Sequence, residues 1–137
     1  MSEAFTLDPR LAADTAPVAA LALSDLLLME DARFPWLIMV PRRFGMSELI
    51  DLDQMDRAML FDEIVKVSGA LKAVTACDKL NVAALGNQVR QLHVHVIARF
   101  VGDPAWAGPV WGSGTAVAYE TDVRDRLIRD IKNALPD

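Results

Sequence analysis

The sequence predicts an α+β fold: an antiparallel sheet, one long helix and a C-terminal helix. Three observations lead there. Two short apolar runs, Leu26 to Met29 and Trp36 to Val40, flank the polar link Glu30 to Arg33, the pattern of a β-hairpin. Apolar residues recur in steps of three and four from Met55 to Val74, the stripe of an amphipathic helix. Val89 to Val101 alternates and is rich in β-branched residues, as a long strand is.

In chain order, Asp8-Pro9 opens a short helix over residues 8–13, with Asp as the cap and Pro in the first turn. In the hairpin, Pro35 marks the start of the second strand and Pro41 its end, places where a missing N–H does least harm. Ser47 with Ile50 makes a poor capping box, so Asp51 or Asp53 is the better start for the long helix. Its core stripe is Met55, Met59, Leu60, Ile64, Val67, Leu71 and Val74, and it ends near Cys77. Leu80 to Leu85 is a further strand, closed by Gly86-Asn87. Gly102 to Gly114 carries four glycines, two prolines and two tryptophans, a loop holding large apolar groups. Glu120 to Leu135 forms the last helix, with Val123, Leu127, Ile128, Ile131 and Leu135 on one face.

The 137 residues suit one domain over 1–137. With 53% hydrophobic and 24% charged residues, the chain has the means to bury a core. A net charge of −5 argues against a broad nucleic-acid face, which needs clustered Lys and Arg. A pocket for a small phosphate needs only a few donors and stays open. The single cysteine, Cys77, forms no internal disulfide and reads as a buried small hydrophobe. The first residues lack a basic region followed by an apolar stretch, and Pro17 to Met29 is too short and too polar to span a bilayer. A cytoplasmic protein without membrane partners is expected.

Chemistry concentrates in one place. The only two histidines lie in Gln91-Leu92-His93-Val94-His95-Val96-Ile97. On a strand, Gln91, His93 and His95 point one way and Leu92, Val94 and Val96 the other. Residues two apart on one face stand about 7 Å from each other, a spacing suited to a phosphate group. Imidazole serves as nucleophile, proton donor or metal ligand near neutral pH. The polar face of a half-solvated sheet alternates in the same way, so periodicity alone leaves both readings open.

The stretch Leu80 to Arg99 resembles the signature of the histidine triad (HIT) superfamily. That signature has an Asn, a Gly-Gln-Ser/Thr-Val turn, then His-φ-His-φ-His-φ-φ, where φ is apolar. The upstream Pro35-Trp36-Leu37-Ile38-Met39-Val40-Pro41-Arg42-Arg43 and Leu49-Ile50-Asp51-Leu52 are similar to the family's second strand and its run into the long helix. The resemblance implies a HIT-like antiparallel sheet and a nucleotide hydrolase or transferase acting at an α-phosphate. Its substrates would resemble diadenosine tetraphosphate or nucleoside phosphoramidates. His93 matches the nucleophile, which forms a nucleotidyl-histidine. His95 matches the histidine that contacts phosphate oxygens and assists the leaving group. Asn81, Asn87 and Gln88 match residues near the phosphates, and Asp31, in the hairpin, is the candidate ribose contact. Phe34 and Trp36 line a nucleoside pocket or belong to the core. A homodimer through a sheet edge and the long helix is implied. No resident cofactor is, with Mg²⁺ entering only alongside the substrate.

The chain also departs from the signature. Gln91 stands where the first histidine belongs, Asn87-Gln88 where Gln-Ser or Gln-Thr is usual, and Ala98 where Pro is frequent. The stretch from Asn81 to Gly86 is one residue shorter than the common form. An amide can donate or accept a hydrogen bond but cannot carry a proton charge, so Gln91 implies weaker acid–base help, while its backbone carbonyl still orients His93. A nucleotide-binding module without turnover is therefore a second reading. A His-x-His metal site is a third, and Cys77 or an acidic residue would have to complete it. Arg42, Arg43, Arg90 and Arg99 are candidate phosphate contacts. Trp106 and Trp111 cover a base, join a dimer partner or plug the loop.

Overall fold

The computed structural model describes residues 4–136. Its order is α1 (Pro9–Asp14), β1 (Thr15–Ala20), β2 (Ser24–Met29), β3 (Trp36–Pro41), a 3₁₀ turn (Leu49–Asp51), α2 (Gln54–Thr75), β4 (Lys79–Ala84), β5 (Val94–Arg99) and α3 (Thr121–Ala134). Among the described residues the strands form one sheet in the order β1-β2-β3-β5-β4, antiparallel at every pairing. The expected α+β architecture, hairpin and two main helices are all present. No helix is long and apolar enough to cross a membrane.

Both faces of the sheet's centre are covered, which decides where the chemistry sits. On one face, Leu26 and Leu28 of β2, Leu37 and Met39 of β3, and Val94 and Val96 of β5 join Leu60, Val67 and Leu71 of α2 and Ile131 of α3 in the main core. Cys77 lies in that core, as its apolar character predicts. On the other face, Leu27, Trp36, Ile38 and Ile97 pack with Leu11 of α1 and Val110 of the loop after β5. Alternation along the strands separates the two sets.

The capping chemistry behaves as read. The Asp8 side chain accepts from Arg10 N at the start of α1, and the Asp53 side chain accepts from Asp56 N at the start of α2. The α2 stripe needs correction at its N-terminal end. Met55 is 77% exposed and Met59 37%, whereas Leu60, Val67 and Leu71 are buried with Glu63 and Ala70. The helical period is right there, but along α2 the core begins only at Leu60. Val123 of α3 is likewise exposed.

Two strands differ from expectation. β1 is not apparent in the sequence, because Thr15-Ala16-Pro17-Val18-Ala19-Ala20 has little β propensity. It survives at the sheet edge, where the register shifts between Pro17 and Ala19. β5 spans only residues 94–99 rather than 89–101. Residues 86–93 leave the ladder, and Leu92 N donates instead to Met46 O at 2.9 Å.

Candidate active site

β3 and β5 set the geometry. Ile38 pairs with His95 and Trp36 with Ile97, so Trp36 is the diagonal neighbour of His95 on one face. A long side chain reaches across that diagonal. The Trp36 indole N–H donates to His95 Nδ1 at 3.0 Å. His93 lies just before β5, its ring centroid 4.9 Å from that of His95 in an edge-to-face arrangement. Trp111, from the loop after β5, meets the His95 ring edge-on at 5.2 Å. Both histidines are buried, 5% exposed each.

The two imidazoles adopt opposite tautomers. His93 Nδ1 lies 2.6 Å from the Gln91 carbonyl oxygen. A carbonyl only accepts, so Nδ1 carries the hydrogen, and in the neutral ring the lone pair is on Nε2. An indole N–H only donates, so His95 Nδ1 is the acceptor and Nε2 carries the hydrogen. Side by side stand a nucleophilic nitrogen and a hydrogen-bond donor. Burial, and then the neighbouring His93, push the His95 pKa down to about 4.

Both histidines line a cavity of about 640 Å³. Its apolar wall includes Leu11, Met29, Ile38 and Val110, and its mouth carries the turn Gly86-Asn87-Gln88. Its guanidinium is Arg33, held by Asp31 through Nε to Oδ1 at 3.0 Å and Nη2 to Oδ2 at 2.8 Å. Arg33 also donates to Ser113 O at 2.7 Å. Burial raises the Asp31 pKa, but the hydrogen bonds from Arg33 and from Val117 N outweigh it and hold the carboxyl below its usual value. This knot ties the hairpin to the loop that roofs the cavity.

The HIT domain family model matches residues 12–102. The chain belongs to the HIT family.

This HIT protein is similar over its length to two crystal structures of histidine triad proteins. The one from Bradyrhizobium japonicum is 47% identical, covers 98% of this chain and 100% of its own, and superposes with a TM-score of 0.96. The one from Marinobacter aquaeolei VT8 is 41% identical, covers 97% of each chain and has a TM-score of 0.94. A hypothetical histidine triad nucleotide-binding protein from Sulfolobus tokodaii strain7, 18% identical, shares the fold (TM-score 0.67, 88% of this chain and 83% of that one). No curated protein matches the chain.

The candidate site residues separate into two groups in the HIT protein. His93, His95, Asn87, Gln88 and Asp31 line the cavity together. Gln91 and Asn81 do not. The Gln91 amide turns to the N-terminal segment, donating to Thr6 O and accepting from Asp8 N, each at 2.8 Å. Its backbone carbonyl alone reaches His93. The Asn81 side chain accepts from Arg99 Nη1 at 2.9 Å, and Arg99 is paired with Asp103. Asp31 faces the cavity, but both its oxygens are engaged by Arg33.

The arginine candidates are placed elsewhere. Arg42 binds Asp25, Arg43 binds Asp56, and Arg90 lines an adjoining cavity, beside Glu48 and Leu49, that shares the Gly86-Asn87 turn with the first. Arg33 went unread, although an Asp-x-Arg in the hairpin link was the available signal. Of the aromatic residues, Trp111 and Trp36 line the cavity, Phe34 is buried in the core beneath it, and Trp106 stacks on the Arg99 guanidinium. Among the described residues no three His, Cys, Asp or Glu side chains gather as a metal set. Cys77 lies in the helix-side core, across the sheet from the histidines.

Proposed function

We propose that this HIT protein hydrolyses nucleotide conjugates at the α-phosphate, with His93 as the nucleophile. The observation that carries this reading is the Gln91 carbonyl on His93 Nδ1, which in the neutral ring puts the lone pair on Nε2, in a cavity sized for a nucleotide. Attack by Nε2 on phosphorus forms a nucleotidyl-histidine, and the carbonyl steadies the positive charge that the ring acquires. Water then releases the nucleoside monophosphate. Splitting the displacement lowers each barrier. His95 Nε2–H donates to a phosphate oxygen, and the N–H groups of the Gly86-Asn87 turn supply further donors. The aliphatic wall takes the base.

Incubation with diadenosine tetraphosphate and Mg²⁺, followed by chromatography, tests this directly. Turnover is expected, with an intact-mass adduct of one nucleoside monophosphate after rapid acid quench. His93→Ala should lose the adduct and at least roughly 10⁴-fold in kcat. Undiminished turnover in that variant would overturn the assignment. Tight binding without turnover of any nucleotide conjugate would instead make the protein a nucleotide-binding module.

The reading extends to assembly. β4 is an edge strand, and Val82 on it is exposed. Ile50, Met55, Phe61 and Val65 are exposed along and before α2. An open edge and exposed apolar side chains are surfaces that proteins cover, and a second copy of this chain is the occupant inferred here.

A further inference from the structure

The hydrogen bond from Trp36 to His95 limits what the second histidine can do. Its acceptor, Nδ1, is the atom that would have to take a proton for His95 to become an imidazolium. An indole N–H facing that atom cannot reverse its role. The site around the pair is closed to rescue: Trp111 lies edge-on to the ring and His93 is the only other imidazole. The remaining ionisable groups that line the cavity are Arg33 and the carboxylates Asp14, Glu30 and Asp31. Arg33 is bound to Asp31, and Glu30 pairs with Arg124 at 3.0 Å. Gln91, at the position of the first histidine in the family signature, faces the N-terminal segment and holds no ionisable proton.

We propose that Trp36 is a positioning residue that locks His95 as a neutral donor, so that the site cleaves bonds whose leaving group departs as a stable anion. The inference rests on the hydrolase reading above and names its substrate class: phosphoric anhydrides rather than amine-bearing phosphoramidates or alkyl esters.

The atom balance shows why. The His93 Nε2 lone pair forms the N–P bond. The bond from phosphorus to the leaving oxygen breaks, and its electron pair leaves with that oxygen. A polyphosphate or an aryloxide carries the charge unaided. An alkylamine leaves only after its nitrogen takes a proton, and neither histidine supplies one. His93 Nδ1–H is committed to the Gln91 carbonyl. His95 Nε2–H belongs to a neutral ring, and its loss would create an imidazolate. In the second half, water attacks phosphorus, the N–P pair returns to Nε2, and the water's proton passes to solvent. The low basicity of His95, imposed by burial and by His93, agrees with this geometry.

Two measurements test the proposal. In ¹⁵N-labelled protein, long-range ¹⁵N–¹H spectra from pH 5 to 8 should show His95 with Nε2 protonated, Nδ1 an acceptor, and no titration. Trp36→Phe should mix the two neutral tautomers of His95. A His95 protonated on Nδ1, or titrating near pH 6.5 in the unmodified protein, overturns the lock whatever the activity. In parallel, kcat/KM is compared for diadenosine tetraphosphate, the p-nitrophenyl ester of adenosine monophosphate, and its phosphoramidate with a simple alkylamine. The first two should exceed the third by about 10²–10⁴-fold, the span that general-acid help ordinarily supplies. Comparable turnover of all three overturns the selectivity. If none of the three is cleaved, the hydrolase reading and the selectivity fail together, while the spectra still decide the lock.

Discussion

At the scale of residues, buried His95 and the half-buried Gln91 shape the cavity in different ways. His95 has a consequence for stability as well as for chemistry. Its folded pKa is depressed from 6.5 to about 4. Between those values the unfolded chain binds a proton that the folded chain refuses, so stability is complete above pH 6.5 and falls as the pH drops toward 4. The loss is at most about 3 kcal/mol. Urea denaturation across that window should show the slope in the unmodified protein and a flatter one in His95→Gln. Gln91 acts through the N-terminal segment. Its two hydrogen bonds to Thr6 and Asp8 hold α1, whose Leu11 lines the cavity. Gln91→Ala should cost about 1–2 kcal/mol, roughly 1 for each bond, and should raise KM more than it lowers kcat. An unchanged KM would separate the segment from ligand binding.

At the scale of elements, β5 and the loop after it are joined by an ion pair. Arg99 Nε meets Asp103 Oδ2 at 2.7 Å, and both side chains are buried, 2% and 6% exposed. The Arg99 guanidinium, helped by Phe100 N and Ala105 N, holds the Asp103 pKa at about 2. The same guanidinium takes Asn81 from β4 and lies over the Trp106 ring. This cluster fixes the start of the loop that brings Val110 and Trp111 over the histidines. Asp103→Ala strands a buried charge and should cost about 3–5 kcal/mol, read as a fall in Tm. A shift within error would show that the loop is held by its apolar contacts alone. A sequence shows Arg99 and Asp103 as two charges four apart, the spacing of a solvated pair on a helix face, and gives no sign that a strand end and the loop after it bury them.

At the scale of the whole molecule, the sheet has a covered centre and an open edge at β4. Pairing of two copies across that edge would bury Val82 and the exposed apolar residues near α2. Size-exclusion chromatography with light scattering should give twice the 15.0 kDa chain mass. Val82→Lys, which places like charges opposite one another across a two-fold axis, should shift the equilibrium toward the monomer. A monomer at micromolar concentration in the unmodified protein would overturn the pairing.

The sequence by itself determined the α+β class, the hairpin, the cap at Asp8, the start of α2 to within Asp51 or Asp53, its extent within a few residues, and the facing of His93 and His95 away from the helix-side core. These follow from local rules: alternation, helical period and cap chemistry act between near neighbours and need no knowledge of what lies across the fold. It missed β1, overextended β5 and placed Met55 in the core, because edge pairing, ladder exit and burial depend on what each segment meets. Tertiary structure alone decided that Trp36 stands diagonal to His95 and donates to its ring, that Asn81 answers Arg99, and that the Gln91 side chain faces the N-terminus. Each of these is a hydrogen bond between residues 18 to 85 positions apart. Such bonds are set by sheet register and by the packing of a loop over a strand, and no local periodicity encodes either.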